Sequence, residues 1–285
     1  MGKNIVLCFL VIGLFTTMNS CNSKKTKDKI KTKTETSVVT DTLSRDLSNR
    51  NEHMVMAVAY QQTAAEYRAL CYQAYNLAKY MLDKDLSDRK INLPRCVVLD
   101  IDETVLDNSP YEAKCILERI AYPNKWSEWI LKSRAKAIPG ALDFIKYAIA
   151  NGVEIYFVTN RKETEREATI SNLKDAGFGN IEDSHLLMKS DDNSKEARRM
   201  KIKETRHISL LFGDSLADFT ADFDGKHSSQ ERKDLVDKVK RDFGSRFIVL
   251  PNPMYGDWEG AIYDNNYAMA DSVKKIKRYN SLTGF

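Results

Sequence analysis

The chain has 285 residues, with 44 Lys and Arg against 40 Asp and Glu, so its formal net charge is only +4. This near balance argues against a protein that binds nucleic acid polymers through a strongly basic surface. Hydrophobic residues make up 42% of the sequence and charged residues 29%, values that are ordinary for a globular protein with a sizeable core.

The beginning of the chain predicts export and membrane anchoring. The apolar run from Ile5 to Phe15 is too short to cross a bilayer and is typical of a secretory signal peptide, here residues 1–20. Cys21 is similar to a lipoprotein processing site, where the cysteine becomes the lipidated N-terminus. Residues 21–51 are rich in Lys, Thr, Ser and Asp and predict a flexible, lipid-anchored linker. The alternative is an ordinary signal that is cut nearby, with an incidental cysteine.

Residues 54–82 have the three- and four-residue spacing of one long amphipathic helix or a helical hairpin. The predicted buried stripe consists of Tyr67, Leu70, Cys71, Ala74, Leu77 and Met81. Pro94 then interrupts the chain, so an N-terminal helical extension is expected before the first strand.

The next segment joins a predicted buried strand to two carboxylates. Val97 to Leu99 are apolar, and Asp100 and Asp102 follow them directly. Ligands of open α/β sheets lie beyond the carboxyl ends of the strands, so both carboxylates can converge on one polar group. A helix cap would explain Asp102, but not a second acid at the end of an apolar strand, where unpaired charge is costly.

The run from Val98 to Tyr111 (VLDIDETVLDNSPY) resembles the signature of class C acid phosphatases. These are bacterial lipoprotein 5′-nucleotidases of the haloacid dehalogenase-like (HAD) superfamily. A second signature is partly kept between Leu211 and Phe219, which includes both of its acids, Asp214 and Asp218. The resemblance extends from about Met54 to the last residue.

The resemblance implies an α/β fold, a doubly wound parallel sheet with a HAD-like Rossmannoid core. The implied phosphatase domain spans residues 52–285, with a small helical cap inserted at about 108–138. The sequence agrees, because strands and helices alternate through short links after the insertion. Strands are predicted at 153–158, 184–188, 208–212 and 246–250, and helices from Pro139 to about Ala150, at about 163–176 and at 193–205.

Polar side chains follow three of these strands: Asp100 and Asp102 the first, Thr159 the second, and Asp214 and Asp218 the fourth. Because parallel strands end at one edge of the sheet, we expect these groups to converge. Four carboxylates in one cleft repel one another unless a cation joins them, and oxygen ligands favour Mg²⁺. The sequence therefore predicts magnesium-dependent phosphoryl chemistry.

The chemistry and the resemblance together predict catalytic roles. Asp100 is the expected nucleophile and Asp102 the general acid and base. Thr159 is expected to hydrogen-bond the phosphoryl oxygens, and Lys195 to offset the charge that Asp100 shares with the phosphate. A helix cap is the alternative for Thr159, and a solvated helix lysine the alternative for Lys195.

Metal and substrate contacts complete the predicted site. Mg²⁺ is expected on Asp100, Asp214 and the backbone carbonyl of Asp102, with Asp218 holding the metal's water shell or orienting Lys195. The predicted substrate-binding residues are Asn160, Trp126 and Tyr255. In the resembling family, aromatic residues at the last two positions enclose the substrate base. Trp129 shares a helix face with Trp126, and one of the two is expected to be a core anchor.

These interpretations predict a magnesium-dependent acid phosphatase that hydrolyses phosphomonoesters, with nucleoside 5′-monophosphates preferred, through an aspartyl-phosphate intermediate. The alternative is a non-catalytic, surface-anchored lipoprotein that binds nucleotides or a cofactor. The expected partners are a small phosphomonoester and a membrane reached through the N-terminal lipid, and a homodimer is left open. The expected location is the outer membrane or a periplasm-facing membrane.

Overall fold

The computed structural model describes residues 51–189 and 191–285. The predicted signal peptide, Cys21 and almost all of the predicted linker lie outside the described residues. In the described part of the chain, no helix combines the length and the apolar character needed to cross a membrane.

The strands are β1 Arg95–Leu99, β2 Leu106–Asp107, β3 Lys136–Ala137, β4 Glu154–Lys162, β5 Leu186–Lys189, β6 His207–Gly213 and β7 Phe247–Val249. Five of them form a parallel sheet in the order β5-β4-β1-β6-β7. The central strand β1 is apolar and almost wholly buried, as expected for a sheet that is covered on both faces. This arrangement confirms the predicted doubly wound parallel sheet.

Ten α-helices flank the sheet in the described residues: α1 Val55–Thr63, α2 Ala65–Leu86, α3 Ser109–Glu118, α4 Trp126–Leu131, α5 Ala141–Ala150, α6 Arg166–Leu173, α7 Glu196–Lys203, α8 Ser229–Lys238, α9 Asp257–Ile262 and α10 Asp271–Asn280. Short 3-10 helices span Glu52–Met54, Glu163–Glu165, Asp183–His185, Leu216–Asp218 and Ala221–Phe223. Residues Lys174–Phe178 form a π-helical turn. Gly177 within this turn has a positive φ of 97°, a conformation that suits glycine.

The core lies on both faces of the sheet. On the larger face, the ring of Tyr75 on α2 stacks on Phe212 of β6 at 5.6 Å, and Phe144 of α5 lies 4.7 Å from the same ring. On the other face, Ile202 of α7 packs with a smaller cluster that includes Val98 of β1. Helices therefore hold β1 and its carboxyl end in place from both sides.

The N-terminal helical extension is a pair of helices, α1 and α2, separated by the extended residue Ala64. The predicted stripe is only partly right: Tyr67 and Cys71 are buried, but Leu70 and Leu77 are 41% and 39% exposed. The buried face continues instead through Tyr75, Ala78 and Leu82. Tyr75 can be buried because its hydroxyl donates to the carbonyl of Thr104 at 2.7 Å.

The segment between β1 and α5, where the resemblance implies a small helical cap, contains α3 and α4. Its two ends are joined by the antiparallel pair β2 and β3, in which Leu106 faces Ala137 and Asp107 faces Lys136. Helical periodicity was hard to detect here because α4 has only six residues. The insertion therefore forms a small helical layer that begins at Ser109, nine residues after Asp100.

Candidate active site

Asp100 lies directly after β1 and is buried. Its carboxylate accepts a hydrogen bond from the Nζ of Lys195, which also donates to Oδ1 of Asp218 at 2.6 Å. Lys195 is the residue that precedes α7, and its ammonium is buried between the two acids. The structure therefore brings together three of the predicted site residues at the carboxyl edge of the sheet.

Asp100, Asp214 and Asp218 form a compact acidic cluster, in which one oxygen of each carboxylate lies within 4.8 Å of the others. Three carboxylates against the one ammonium of Lys195 leave about two uncompensated negative charges in a poorly hydrated cleft. Burial raises the pKa of Asp100 to about 7, although Lys195 opposes this shift. Burial and the nearby Asp218 and Asp100 raise the pKa of Asp214 well above its usual value.

The acidic cluster fits a divalent cation in charge and in ligand type. Its donors are carboxylate oxygens, which hard cations such as Mg²⁺ prefer. A bound cation would offset the repulsion between the carboxylates, which adds to the effect of burial in raising the two pKa values. Asn252 Nδ2 donates to Oδ2 of Asp214 at 2.8 Å and orients this carboxylate toward the cluster. Sequence reasoning did not assign a role to Asn252.

Asp218 is fixed by its neighbours. Besides Lys195, the backbone N–H of Ser215 donates to its Oδ2 at 3.0 Å. The almost fully buried guanidinium of Arg199 donates to its backbone carbonyl at 2.9 Å. In the structure a Cβ at Gly213 would overlap the side chain of Asp218, so this glycine makes room for the acid.

The carboxylate of Asp102 is held by a network of donors. Arg161 donates to Asp102 Oδ1 from Nη2 at 2.7 Å and from Nε at 3.0 Å, and Asn108 Nδ2 donates to the same oxygen at 2.8 Å. Oδ2 accepts only the longer 3.2 Å bond from Arg161 Nε in the described residues. Sequence reasoning missed Arg161. The available signal was an arginine inside a strand, since a buried guanidinium requires an acceptor.

Thr159 and Asn160 lie at the expected strand end but have protein partners. Thr159 is fully buried, and its Oγ1 accepts from the N–H of Arg161 at 3.2 Å. The Nδ2 of Asn160 donates to the carbonyl of Asn193 at 2.9 Å, and its Oδ1 accepts from Arg198 at 2.6 Å. Both the Nδ2 and the Oδ1 of Asn160 are therefore hydrogen-bonded to protein groups. The side chain links β4 to the residues before and within α7.

The two aromatic residues predicted to enclose a base, Trp126 and Tyr255, contact different groups of the protein. The ring of Trp126 meets Tyr111 at 5.0 Å and Tyr122 at 5.9 Å, both edge to face. The hydroxyl of Tyr255 donates to a carboxylate oxygen of Glu103. The ring contacts of Trp126 are thus with tyrosines of the insertion. Rings that enclose a base need not touch each other, so the clamp stays a prediction.

A second network joins the insertion to Asp102. Trp129, expected to be the core anchor of the pair, donates from Nε1 to Asn108 Oδ1 at 2.8 Å. The amide of Asn108 then donates to Asp102 and, at 3.2 Å, to the buried Glu103. The backbone N–H of Asn108 also donates to Glu103 at 2.7 Å. Trp129 therefore sets the orientation of the amide that contacts Asp102.

A parallel α/β sheet with carboxylates and a lysine at its carboxyl edge is the arrangement expected of HAD phosphatases. The sequence matches the family described as HAD superfamily, subfamily IIIB (acid phosphatase), over residues 14–258. The class C acid phosphatase from Bacillus anthracis is 42% identical and superposes with a TM-score of 0.79, covering 83% of this chain and 99% of that one. The same enzyme with tungstate bound superposes with a TM-score of 0.78.

Plant proteins are also similar. The stem 31 kDa glycoprotein of Glycine max is 28% identical over 59% of this chain and 62% of its own length. Acid phosphatase 1 of Solanum lycopersicum is 28% identical over 55% of this chain and 57% of its own length. The chain thus spans about three-fifths of the length of these curated relatives.

The chain belongs to the acid phosphatases of HAD subfamily IIIB. This result confirms the resemblance to class C acid phosphatases that the run from Val98 to Tyr111 carries. It also confirms the predicted enzyme class, because acid phosphatases are phosphoric monoester hydrolases.

Proposed function

We propose that this protein is a magnesium-dependent phosphatase that hydrolyses phosphomonoesters through an aspartyl-phosphate on Asp100. The observation that carries the proposal is the acidic cluster with Lys195 at its centre, beside Asp102. The tungstate bound to the Bacillus anthracis relative supports it, because tungstate is a tetrahedral oxyanion like phosphate.

In the first half of the proposed reaction, a carboxylate oxygen of Asp100 attacks phosphorus and the ester P–O bond breaks. Asp102, as a carboxylic acid, gives its proton to the departing alkoxide oxygen. Oδ2 of Asp102 suits this transfer, because Oδ1 is already surrounded by Arg161 and Asn108. The products of this half are a free alcohol and the phosphorylated Asp100.

In the second half, the carboxylate of Asp102 takes a proton from water, and the water oxygen attacks phosphorus. The bond between phosphorus and the Asp100 oxygen breaks, which releases inorganic phosphate and restores Asp100. Lys195 remains beside Asp100 and neutralises part of the charge on the phosphoryl group.

Asp100, Asp214 and the backbone carbonyl of Asp102 would hold Mg²⁺, with Asp218 fixing Lys195. When bound, the cation supplies charge neutralisation for the phosphate and lowers the repulsion between phosphate and the acidic cluster. The contacts of Asp218 with Lys195 and Ser215 support the orienting role, one of the two predicted for this residue.

Nucleoside 5′-monophosphates are the proposed preferred substrates. Trp126 is partly exposed on the insertion and offers a π-face on which a base can stack. Since Tyr255 is held by Glu103, we propose that the base stacks first on Trp126 and that Tyr255 closes on it only when substrate is bound. Location is a separate proposal: the protein is exported and anchored at Cys21 to the outer membrane or a periplasm-facing membrane.

The test is phosphate release from nucleotides, sugar phosphates and an aryl phosphate, with Mg²⁺ and with chelator. The rate of D100N should be lower than that of the wild type by more than about 10³-fold. D83N replaces an acid on α2 that accepts a hydrogen bond from Tyr147, and it should retain the wild-type rate. Mass spectrometry of rapidly quenched reactions should find phosphate on Asp100. Equal rates with all substrates would remove the base-stacking proposal. No release by folded protein would favour the non-catalytic binding alternative.

A further inference from the structure

Helix α10 turns its charged side toward the protein and its apolar side toward solvent. Arg278 donates to the hydroxyl of Tyr263 at 2.8 Å, and the ammonium of Lys274 lies 5.7 Å from the centre of the same ring. Lys277 pairs with Asp264 at 2.5 Å. These three cationic side chains are the partly buried ones of the helix, and they attach it to the domain.

The opposite side of α10 carries an apolar stripe. Val273, Ile276 and Tyr279 repeat at three-residue spacing, so they lie along one side of the helix, and they are 42%, 58% and 67% exposed. Leu282 and Phe285, in the residues that follow, are also exposed. No residue of α10 is buried. We call these five residues the α10 stripe.

This orientation is the reverse of what holds a surface helix in place. A helix of ten residues is marginal in water, and in proteins most of its stability comes from an apolar face packed on the core. The α10 stripe contributes no such packing to the described domain. Water contact with five apolar side chains is unfavourable, so a covering surface would stabilise the helix.

Size and charge identify the covering surface. A stable contact with a second protein copy buries about 800 Å² on each partner, more than a short row of five side chains provides. A bilayer surface requires only that apolar side chains enter the boundary below the headgroups and that cations lie beside the phosphates. Helix α10 carries four cations, at positions 274, 275, 277 and 278, against the single acid Asp271, which gives a net charge of +3.

The positions of these cations fit this arrangement. Lys275 is exposed beside the stripe, close to Tyr279 on the helix surface. Lys274, Lys277 and Arg278 contact Tyr263 and Asp264 of the domain and add positive charge behind the stripe. Cations near an anionic membrane surface are attracted to its headgroups.

We propose that the α10 stripe docks on the surface of an anionic lipid bilayer. The apolar side chains enter the boundary between headgroups and acyl chains, and Lys275 lies at the level of the phosphates. The proposal goes beyond the phosphatase activity and does not depend on it. A lipid at Cys21, which the sequence predicts, would raise the local concentration of bilayer around the domain and strengthen a contact that is weak by itself.

The test uses the full chain mixed with vesicles of phosphatidylglycerol and phosphatidylcholine, with vesicles of phosphatidylcholine alone, and without vesicles. Hydrogen–deuterium exchange is followed at residues 272–282. We expect exchange to slow by about tenfold on the anionic vesicles and much less on the neutral ones. Added salt should reduce the protection, because it screens the attraction of Lys275 to the headgroups.

Two double variants locate the contact. V273S/I276S should lose the protection of residues 272–282. The control L117S/L131S removes two leucines of the insertion that are 82% and 64% exposed, more than Val273 and Ile276, and should keep it. Unchanged exchange in α10 on vesicles that carry the protein, or failure of the protein to bind vesicles, would overturn the proposal. Protection that appears without vesicles and grows with protein concentration would overturn it in favour of a contact between two copies.

Discussion

Replacing Arg161 with Lys should impair the reaction through Asp102, in a manner that depends on the leaving group. Arg161 is 2% exposed and donates from two nitrogen atoms to Asp102, which fixes both the position and the rotation of that carboxylate. Lysine keeps the positive charge but cannot make the paired bonds. Oδ2 of Asp102 would then no longer be aimed toward the leaving oxygen.

The magnitude follows from the two roles of the pair. Removing a partner from a buried ion pair costs about 3–5 kcal/mol of stability, and R161K should cost less, about 1–2 kcal/mol, because charge is kept and Asp102 is partly solvated. General acid catalysis contributes about 10²–10⁴-fold, so a misaligned Asp102 should lower kcat for an alkyl phosphate by about 10–100-fold.

The assay compares an alkyl phosphate, such as a nucleoside 5′-monophosphate, with an aryl phosphate whose phenolate leaves without a proton. In single-turnover measurements of alcohol or phenol release, which report the first half of the reaction, R161K should lose most of its rate with the alkyl ester and little with the aryl ester. D102N should show the same selectivity more strongly. R95Q is the matched control, since Arg95 forms a comparable ion pair with Asp85 away from the acidic cluster. Equal losses of R161K on both substrates would refute the reasoning.

Three further substitutions test other contacts. W129F removes the donor to Asn108 and should lower kcat about tenfold with an unchanged KM for an alkyl phosphate, whereas a raised KM alone would contradict the positioning role. G213A should displace Asp218 and cost about 1–3 kcal/mol in denaturant unfolding, together with most of the activity; a normal rate would contradict the predicted overlap. Burial raises the pKa of Glu112 from 4.5 to about 7. Between these two pH values the folded protein keeps a proton on Glu112 that the unfolded protein has lost, so the unfolding free energy should fall as pH rises from 4.5 to 7. E112Q should remove this slope and be more stable at pH 8, by on the order of 2 kcal/mol; a slope equal to that of the wild type would refute this.

The strand-end residues were predictable because their signal is local. An apolar strand that ends in Asp100 needs little beyond its own neighbours to indicate a site, and the same holds for Asp214 after β6. Parallel strands then bring these ends to one edge, which makes convergence a consequence of the fold class. Lys195 was predicted through the resemblance, and its contact with both Asp100 and Asp218 is a finding of the structure.

The partners of Asp102 were not predictable in the same way. Arg161 lies on β4 and Asn108 directly before α3, and their sequence neighbours give no sign of a shared acceptor. Their convergence on Asp102 depends on how these two separate segments meet in the fold. The state of Tyr255 is a similar case. Its place opposite Trp126 was expected from the resemblance, but its hydroxyl is held by Glu103, a carboxylate brought near by a positive-φ turn.

Neighbouring residues alone are enough to predict the class of fold, the position of the central strand and the acids that end it, because apolar runs and the charges that follow them are local features of the chain. The tertiary structure decided which polar groups pair with those acids and which side of each helix is buried. The spacing in α2 and α10 shows that both helices are amphipathic, but spacing does not say where the core lies. In α2 the buried face passes through Tyr75 instead of Leu77, and in α10 the charged side meets the domain, because burial depends on the surface that each helix meets.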